Sequence, residues 1–317
     1  MQRLPRSLVL VAAVLATGVL RVPLESALTA NLRTANLLLK PLDVTTQAKL
    51  GQTSAAVALG GLRTVVAVFQ NIRANTAFQQ QDWPRVASAF ETVTTLAPRT
   101  VYYWQTGGWH MATNAASAYR DDQTLPPPRR AELRRAFILQ GTGFLERGVH
   151  NNPTSWELPY QLALLSDDPA KIPNIDTAVR WMDLAVSLGD VPPAVVRQRL
   201  YLLARHPRRR ADALALAREL YAQPSGIHRV STLVSFLYAL EHHPDVPPAE
   251  RHSLAQLHPS PQRAYQSLCS YWQRRHDGAP MDGVRDALVE LEKSLLIPAQ
   301  QSIFHQPDLT NPAPPGS

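Results

Sequence analysis

From about Leu59 onward, apolar residues recur at three- and four-residue intervals, the spacing that gathers them on one face of an α-helix. No stretch alternates apolar and polar positions over the length of a strand. The periodic segments are mostly ten to twenty residues long, separated by Pro, Gly, Asn and Asp. They predict helices over 55–80, 83–97, 100–119, 129–149, 154–166, 174–189, 192–205, 208–222, 226–242, 248–257, 260–276 and 282–296. Prolines gather between these segments, at 126–128, 192–193 and 247–248, where a missing N–H and a fixed φ do no harm. The expected fold is all-α, about twelve helices with short connections.

One region carries more detail. In "DWPRVASAFETVTTLAP" Asp82 and Trp83 form a turn, with Pro84 at the first helical position. Val86 and Phe90 follow four apart, and Pro98 ends the segment. Trp104, Gly107, Gly108 and Met111 come next, within "VYYWQTGGWHMATNAA". This arrangement resembles the tetratricopeptide repeat (TPR). That repeat has a Trp-x2-Leu-Gly-x2-Tyr helix, an Ala-x3-Phe helix and a closing Pro over about 34 residues. Val86 stands for the Ala, Gly107 for the Leu and Met111 for the Tyr. Weaker echoes are "GTGFLERGVHNNP", Ala178-x3-Met182 and Ala213-x3-Ala217 with Pro224. The "RDDQTLPPPRR" segment lengthens one unit.

The resemblance implies a right-handed superhelix of degenerate TPR-like helix pairs over 54–241. Capping helices over 242–300 would cover its apolar end, and 301–317 would be a disordered tail. In the TPR register Trp104, Gly108 and Met111 pack inward. Tyr102, Gln105 and Trp109 face a concave groove, with Asn71 and Asn114 as polar partners for a bound peptide. The alternative is that these aromatics are core.

The N-terminus changes the expected location. Arg3 and Arg6 precede an uncharged, mostly apolar run from Ser7 to Leu20. That is the layout of an export signal, and the run is short of the roughly 20 residues of a membrane span. No clean cleavage site follows, so 1–24 fits a cleaved signal or an uncleaved signal-anchor, with 25–53 as a membrane-proximal connector. Leu37 to Leu39 predict a short helix there. Either way the positive flank places the body across the membrane, in the periplasm of a bacterial cell. A second apolar stretch, Ser54 to Gln70, holds Arg63 and Gly60-Gly61 in its middle. A charge at that depth is expensive in lipid, so the stretch is expected as the buried first helix of the body. The signal with such a first helix is similar to bacterial membrane-anchored TPR-like proteins of unknown function. That resemblance implies a scaffold and no activity.

Composition narrows the chemistry. The 317 residues carry a net charge of +7, in clusters at Arg129, Arg130, Arg134, Arg135 and at 208–210. Neither cluster is interleaved with aromatics, so nucleic acid is not the expected partner. The single cysteine, Cys269, excludes an intramolecular disulfide and is expected as a buried thiol. Glu241, His242, His243, Asp245, His252 and His258 have metal-ligand chemistry, but Pro244 interrupts them and no His-Glu-x2-His spacing is present. No Gly-x-Ser-x-Gly elbow, P-loop or dinucleotide fingerprint occurs. Asp121-Asp122 and Asp167-Asp168 are expected as solvated caps, and Glu157 beside Trp156 is the best carboxylate for glycoside chemistry. The expectation is therefore no enzyme, cofactor, metal or small-molecule substrate. It is a membrane-tethered scaffold binding a protein partner in an envelope or export assembly. An integral subunit of a membrane complex, or an enzyme acting on envelope polysaccharide, are the alternatives.

Overall fold

The computed structural model describes residues 23, 26–28 and 53–305, the side chains of 53–62 excepted. The expected signal segment over 1–24 and the connector over 25–53 lie almost wholly outside the described residues. The tail expected as disordered over 301–317 is described to 305, where Ser302 and Ile303 are instead buried, Ile303 within the apolar core. The described chain is all-α, with thirteen α-helices and no strand. In order these are α1 (Thr53–Gln79), α2 (Trp83–Leu96), α3 (Val101–Trp109), α4 (Ala116–Asp121), α5 (Pro127–Asn151), α6 (Glu157–Asp167) and α7 (Ile175–Ser187). Then come α8 (Pro193–Arg205), α9 (Arg210–Ala222), α10 (Ser231–Glu241), α11 (Leu254–Leu257), α12 (Pro261–Trp272) and α13 (Val284–Ser294).

Three segments depart from the periodicity. The helix expected over 100–119 is divided by a π-helical stretch, His110–Ala115. The helix expected from 226 starts at Ser231, because Gly226 takes a left-handed φ of 64° in the preceding turn. The helix expected over 248–257 is a 3-10 turn, Pro248–Glu250, then extended residues, then the single turn of α11. There the His252 N–H leaves the helix to bond Glu241 at 2.9 Å. A capping box between Ser253 and Gln256 then restarts the helix.

The chain divides into two compact units, residues 1–111 and 112–317. In the first, α1 packs on α2 and α2 on α3. Asp82 caps α2 by accepting the Arg85 N–H at 3.2 Å, with Pro84 in the first turn. The α2 core face is Val86, Ala87, Phe90 and Val93. The α1 contribution is mostly small, Ala67, Ala74 and Ala77, with half-buried Phe78 edge-on to Trp83 at 5.7 Å near its end. Trp104 is buried, and its indole N–H donates to the Pro98 carbonyl at 2.8 Å, tying α3 to the turn that closes α2.

In the second unit each helix packs on its neighbours in the sequence. Beyond those, the substantial helix contacts among the described residues join α8 to α10 and α10 to α12. One apolar core runs from Ala163 to Ile303 through the buried faces of α6 to α13. Fully buried Met182, Leu200 and Phe236 each contribute about 1.5–3 kcal/mol by leaving water. Polar ties fix the spacing of the pairs. Arg199 on α8 meets Asp183 on α7 at 2.6 Å. Buried His206 accepts the Arg208 N–H at Nδ1 (3.1 Å), which leaves Nε2–H to donate to Asp176 at 2.9 Å. That hydrogen bond, with Arg208 beside it, holds the Asp176 carboxyl below the usual carboxylate range.

Candidate functional site

Tyr102, Gln105 and Trp109 lie three and four residues apart on α3, so they share one helix face. Tyr102 and Trp109 are exposed and Gln105 is half-buried, while Trp104, Gly108 and Met111 are buried on the other side. Trp109 leans on His110, with ring centroids 5.4 Å apart. His110 also meets Phe78 and Phe90, and burial pushes its imidazole below the ordinary histidine pKa. Asn71 is half-buried on α1 of the same unit. Asn114 falls inside the π stretch and belongs to the second unit. The structure thus gathers Tyr102, Gln105 and Trp109 on one face and places the two asparagines on other elements.

The second unit carries a groove of about 460 Å³. Gln198, Tyr201 and Arg205 of α8 form its floor, at the i, i+3, i+7 spacing of one helix face. Leu164 and Asp167 come from α6, Phe236 from α10, and Arg274 and Asp277 from the 3-10 turn after α12. Tyr201 stacks on Phe236 at 4.6 Å, and Phe236 meets Tyr271 edge-on at 4.9 Å, so a buried aromatic column fixes the wall. Burial raises the Tyr201 hydroxyl pKa against the opposing pull of Arg197 and Arg274. Arg205 reaches across to Asp167 at 2.6 Å, both side chains about one-fifth exposed. Asp167 is therefore a partner in a half-buried ion pair, and the expectation of a solvated cap is corrected for it. Asp168 does cap a turn, accepting the Ala170 N–H at 2.8 Å. The groove presents an aromatic wall, charges of both signs and an amide. Such a lining suits an extended polypeptide better than a compact apolar ligand.

The histidine-rich stretch is organised around Glu241, which is fully buried. Its carboxylate accepts from Arg218 Nε at 3.0 Å and from the His252 N–H at 2.9 Å, and His252 Nδ1 lies 3.0 Å away. A guanidinium thus stands where a cation bound by Glu241 and His252 would have to sit. Other sequence candidates are also absorbed into the fold. Arg208 pairs with Asp176, Arg209 with Asp212 and Asp183, and Arg210 with Asp282. Arg129 pairs with Glu132, and Arg134 donates to the Ala170 carbonyl. Glu157 accepts the Ser155 hydroxyl at 2.7 Å in the first turn of α6. Cys269 is half-buried against the core, where burial pushes its thiol up to about 11.

The groove had one sequence signal: in "PAVVRQRLYLLAR" the polar residues Gln198 and Arg205 and the amphipathic Tyr201 share a stripe on an otherwise apolar helix. That stripe does not show which helices stand opposite it. No protein-family model matches the chain, and no curated protein matches it.

Proposed function

We propose that the protein is a membrane-tethered, extracytoplasmic scaffold that holds a segment of a partner protein in the groove of its second unit. The observation that carries this reading is that the groove is lined by alternate helices, α6, α8 and α10, with the turn after α12. In a TPR-like solenoid the first helix of each pair lines the concave face, and the second lies outside. The contacts of α8 with α10 and of α10 with α12 fit that arrangement, as do the buried pairs Ala178/Met182 on α7 and Ala213/Ala217 on α9. Ala178 and Ala213 stand about one TPR length, roughly 34 residues, apart. The tether and the envelope location rest on the signal-like run at the N-terminus.

The test is site-specific photocrosslinking in native membranes, with the crosslinking residue at Gln198 or at Trp109. A discrete adduct at Gln198 that Arg274→Glu diminishes is the expected result. An adduct at Trp109 alone would move the site to α3, and none at either position would remove the scaffold reading.

A further inference from the structure

The first helix of the first unit is turned the opposite way from what its composition suggests. On α1, Val65, Val68, Phe69 and Ile72 recur at i, i+3, i+4 and i+7, so they form one face, with Val66 at its margin. All five are exposed, Phe69 by 63% and Ile72 by 55%. Ala67, Ala74 and Ala77, on the other side, make the contact with α2. Contiguous exposed apolar side chains of this size mark a surface that something else covers.

The charges around the face indicate what that is. No Asp or Glu occurs between Asp43 and Asp82, and the basic residues in that interval are Lys49, Arg63 and Arg73. Arg73 borders the apolar face, whereas Arg63, four residues before Ala67, lies toward the alanine side of the helix; both are exposed. Long basic side chains at the edge of an apolar helix face can lay their stems along it and lift their charges to lipid headgroups. An apolar face bordered by Arg73, on a helix that carries Arg63 and no acidic residue, is complementary to an anionic bilayer surface. No helix among the described residues is long and apolar enough to cross a membrane, so α1 would lie in the interface rather than span it.

We propose that the Val65–Ile72 face of α1 docks in the plane of an anionic lipid surface. This contact is separate from the groove reading, and it is separate from any anchoring by residues 1–24.

The test uses the full chain with Cys269→Ser, carrying a nitroxide at Phe69→Cys, Ile72→Cys or, as control, exposed Ser88→Cys on α2. The protein is reconstituted in vesicles of phosphatidylglycerol with phosphatidylcholine, or of phosphatidylcholine alone. Labels at 69 and 72 should relax with oxygen more than with a water-soluble nickel chelate, at a depth of about 5–10 Å below the headgroup boundary. The label at 88 should show the reverse. Arg63→Glu with Arg73→Glu, or neutral vesicles, should shift 69 and 72 toward the control. Anchoring through residues 1–24 alone would leave 69 as nickel-accessible as 88, and that result overturns the proposal. So would equal insertion in neutral and anionic vesicles. Spin–spin broadening that vanishes on dilution with unlabelled protein would assign the face to a second copy instead. Shielding from both reagents, in detergent as in vesicles, would assign it to protein.

Discussion

The strongest internal test of the second unit is the charge pair at its centre. Arg218→Met removes the guanidinium from fully buried Glu241, which keeps the His252 N–H at 2.9 Å and His252 Nδ1 at 3.0 Å. Stripping a partner from a buried charge typically costs about 3–5 kcal/mol. The two remaining contacts place this case near the lower end, about 3 kcal/mol. The reverse change is milder. Glu241→Leu leaves Arg218 one-third exposed and still bound to Glu250, through its side chain at 3.3 Å and its carbonyl at 3.0 Å. Its cost should be about 1–2 kcal/mol, the loss of charged hydrogen bonds whose donors can turn to water. The double variant removes both charges together and should lie within about 1 kcal/mol of the parent. The two single costs therefore do not add. Thermal unfolding followed by circular dichroism reads this directly. At about 2–4 °C per kcal/mol for a unit of this size, Arg218→Met should lower Tm by roughly 6–12 °C, and adding Glu241→Leu should restore most of it. A double variant that falls by the sum of the singles would show that Arg218 and Glu241 are not coupled, and the account of this cluster would fail.

Other outcomes follow from single positions. Gly283 has φ 71° and a Cβ there would come within 2.8 Å of His242, whereas Gly189 has φ 80° with open space around it. Gly189→Ala should cost about 1–2 kcal/mol and Gly283→Ala about 3 kcal/mol or more; equal losses in denaturant titration would mean that His242 does not pack there. With its thiol raised to about 11, Cys269 should be alkylated at pH 8 about a hundredfold more slowly than a free thiol of pKa near 8.5. The rate should climb about tenfold per pH unit toward pH 11, and a flat profile would contradict the burial. On α1, Ala74→Leu should cost about 1–3 kcal/mol by overpacking the α2 contact, and Ile72→Ser should stay within about 0.5 kcal/mol. The opposite ranking would mean that the two faces of α1 are exchanged.

The helices were legible because their signals are local. A 3.6-residue period and prolines at segment starts belong to a few consecutive residues, and most boundaries fall within two or three positions of the expectation. The departures come where a distant group decides. Residues 251–253 leave the helical path because Glu241, eleven positions back, takes the His252 N–H. The division at Met111 falls inside the π stretch His110–Ala115, and no proline or polar linker announces it there. The groove was hidden for a related reason. Gln198, Tyr201 and Arg205 can be placed on one face of α8 from sequence, but Asp167, Phe236 and Arg274 meet them only through the pairing of helices.

The α1 helix shows a different limit. Its mean composition is apolar, and that alone predicts burial. Burial depends on which face meets the neighbour. Alanines at 67, 74 and 77 let the α1 backbone approach α2 closely, and close approach satisfies packing with little side-chain volume. The larger residues at 65, 68, 69 and 72 cannot fit that narrow contact and are turned outward by the same geometry. A small-residue seam and an outward apolar face are two consequences of one helix orientation. The seam accounts for how α1 is held, and the outward face, bordered by Arg73 and free of acidic residues, is the one proposed to meet an anionic surface.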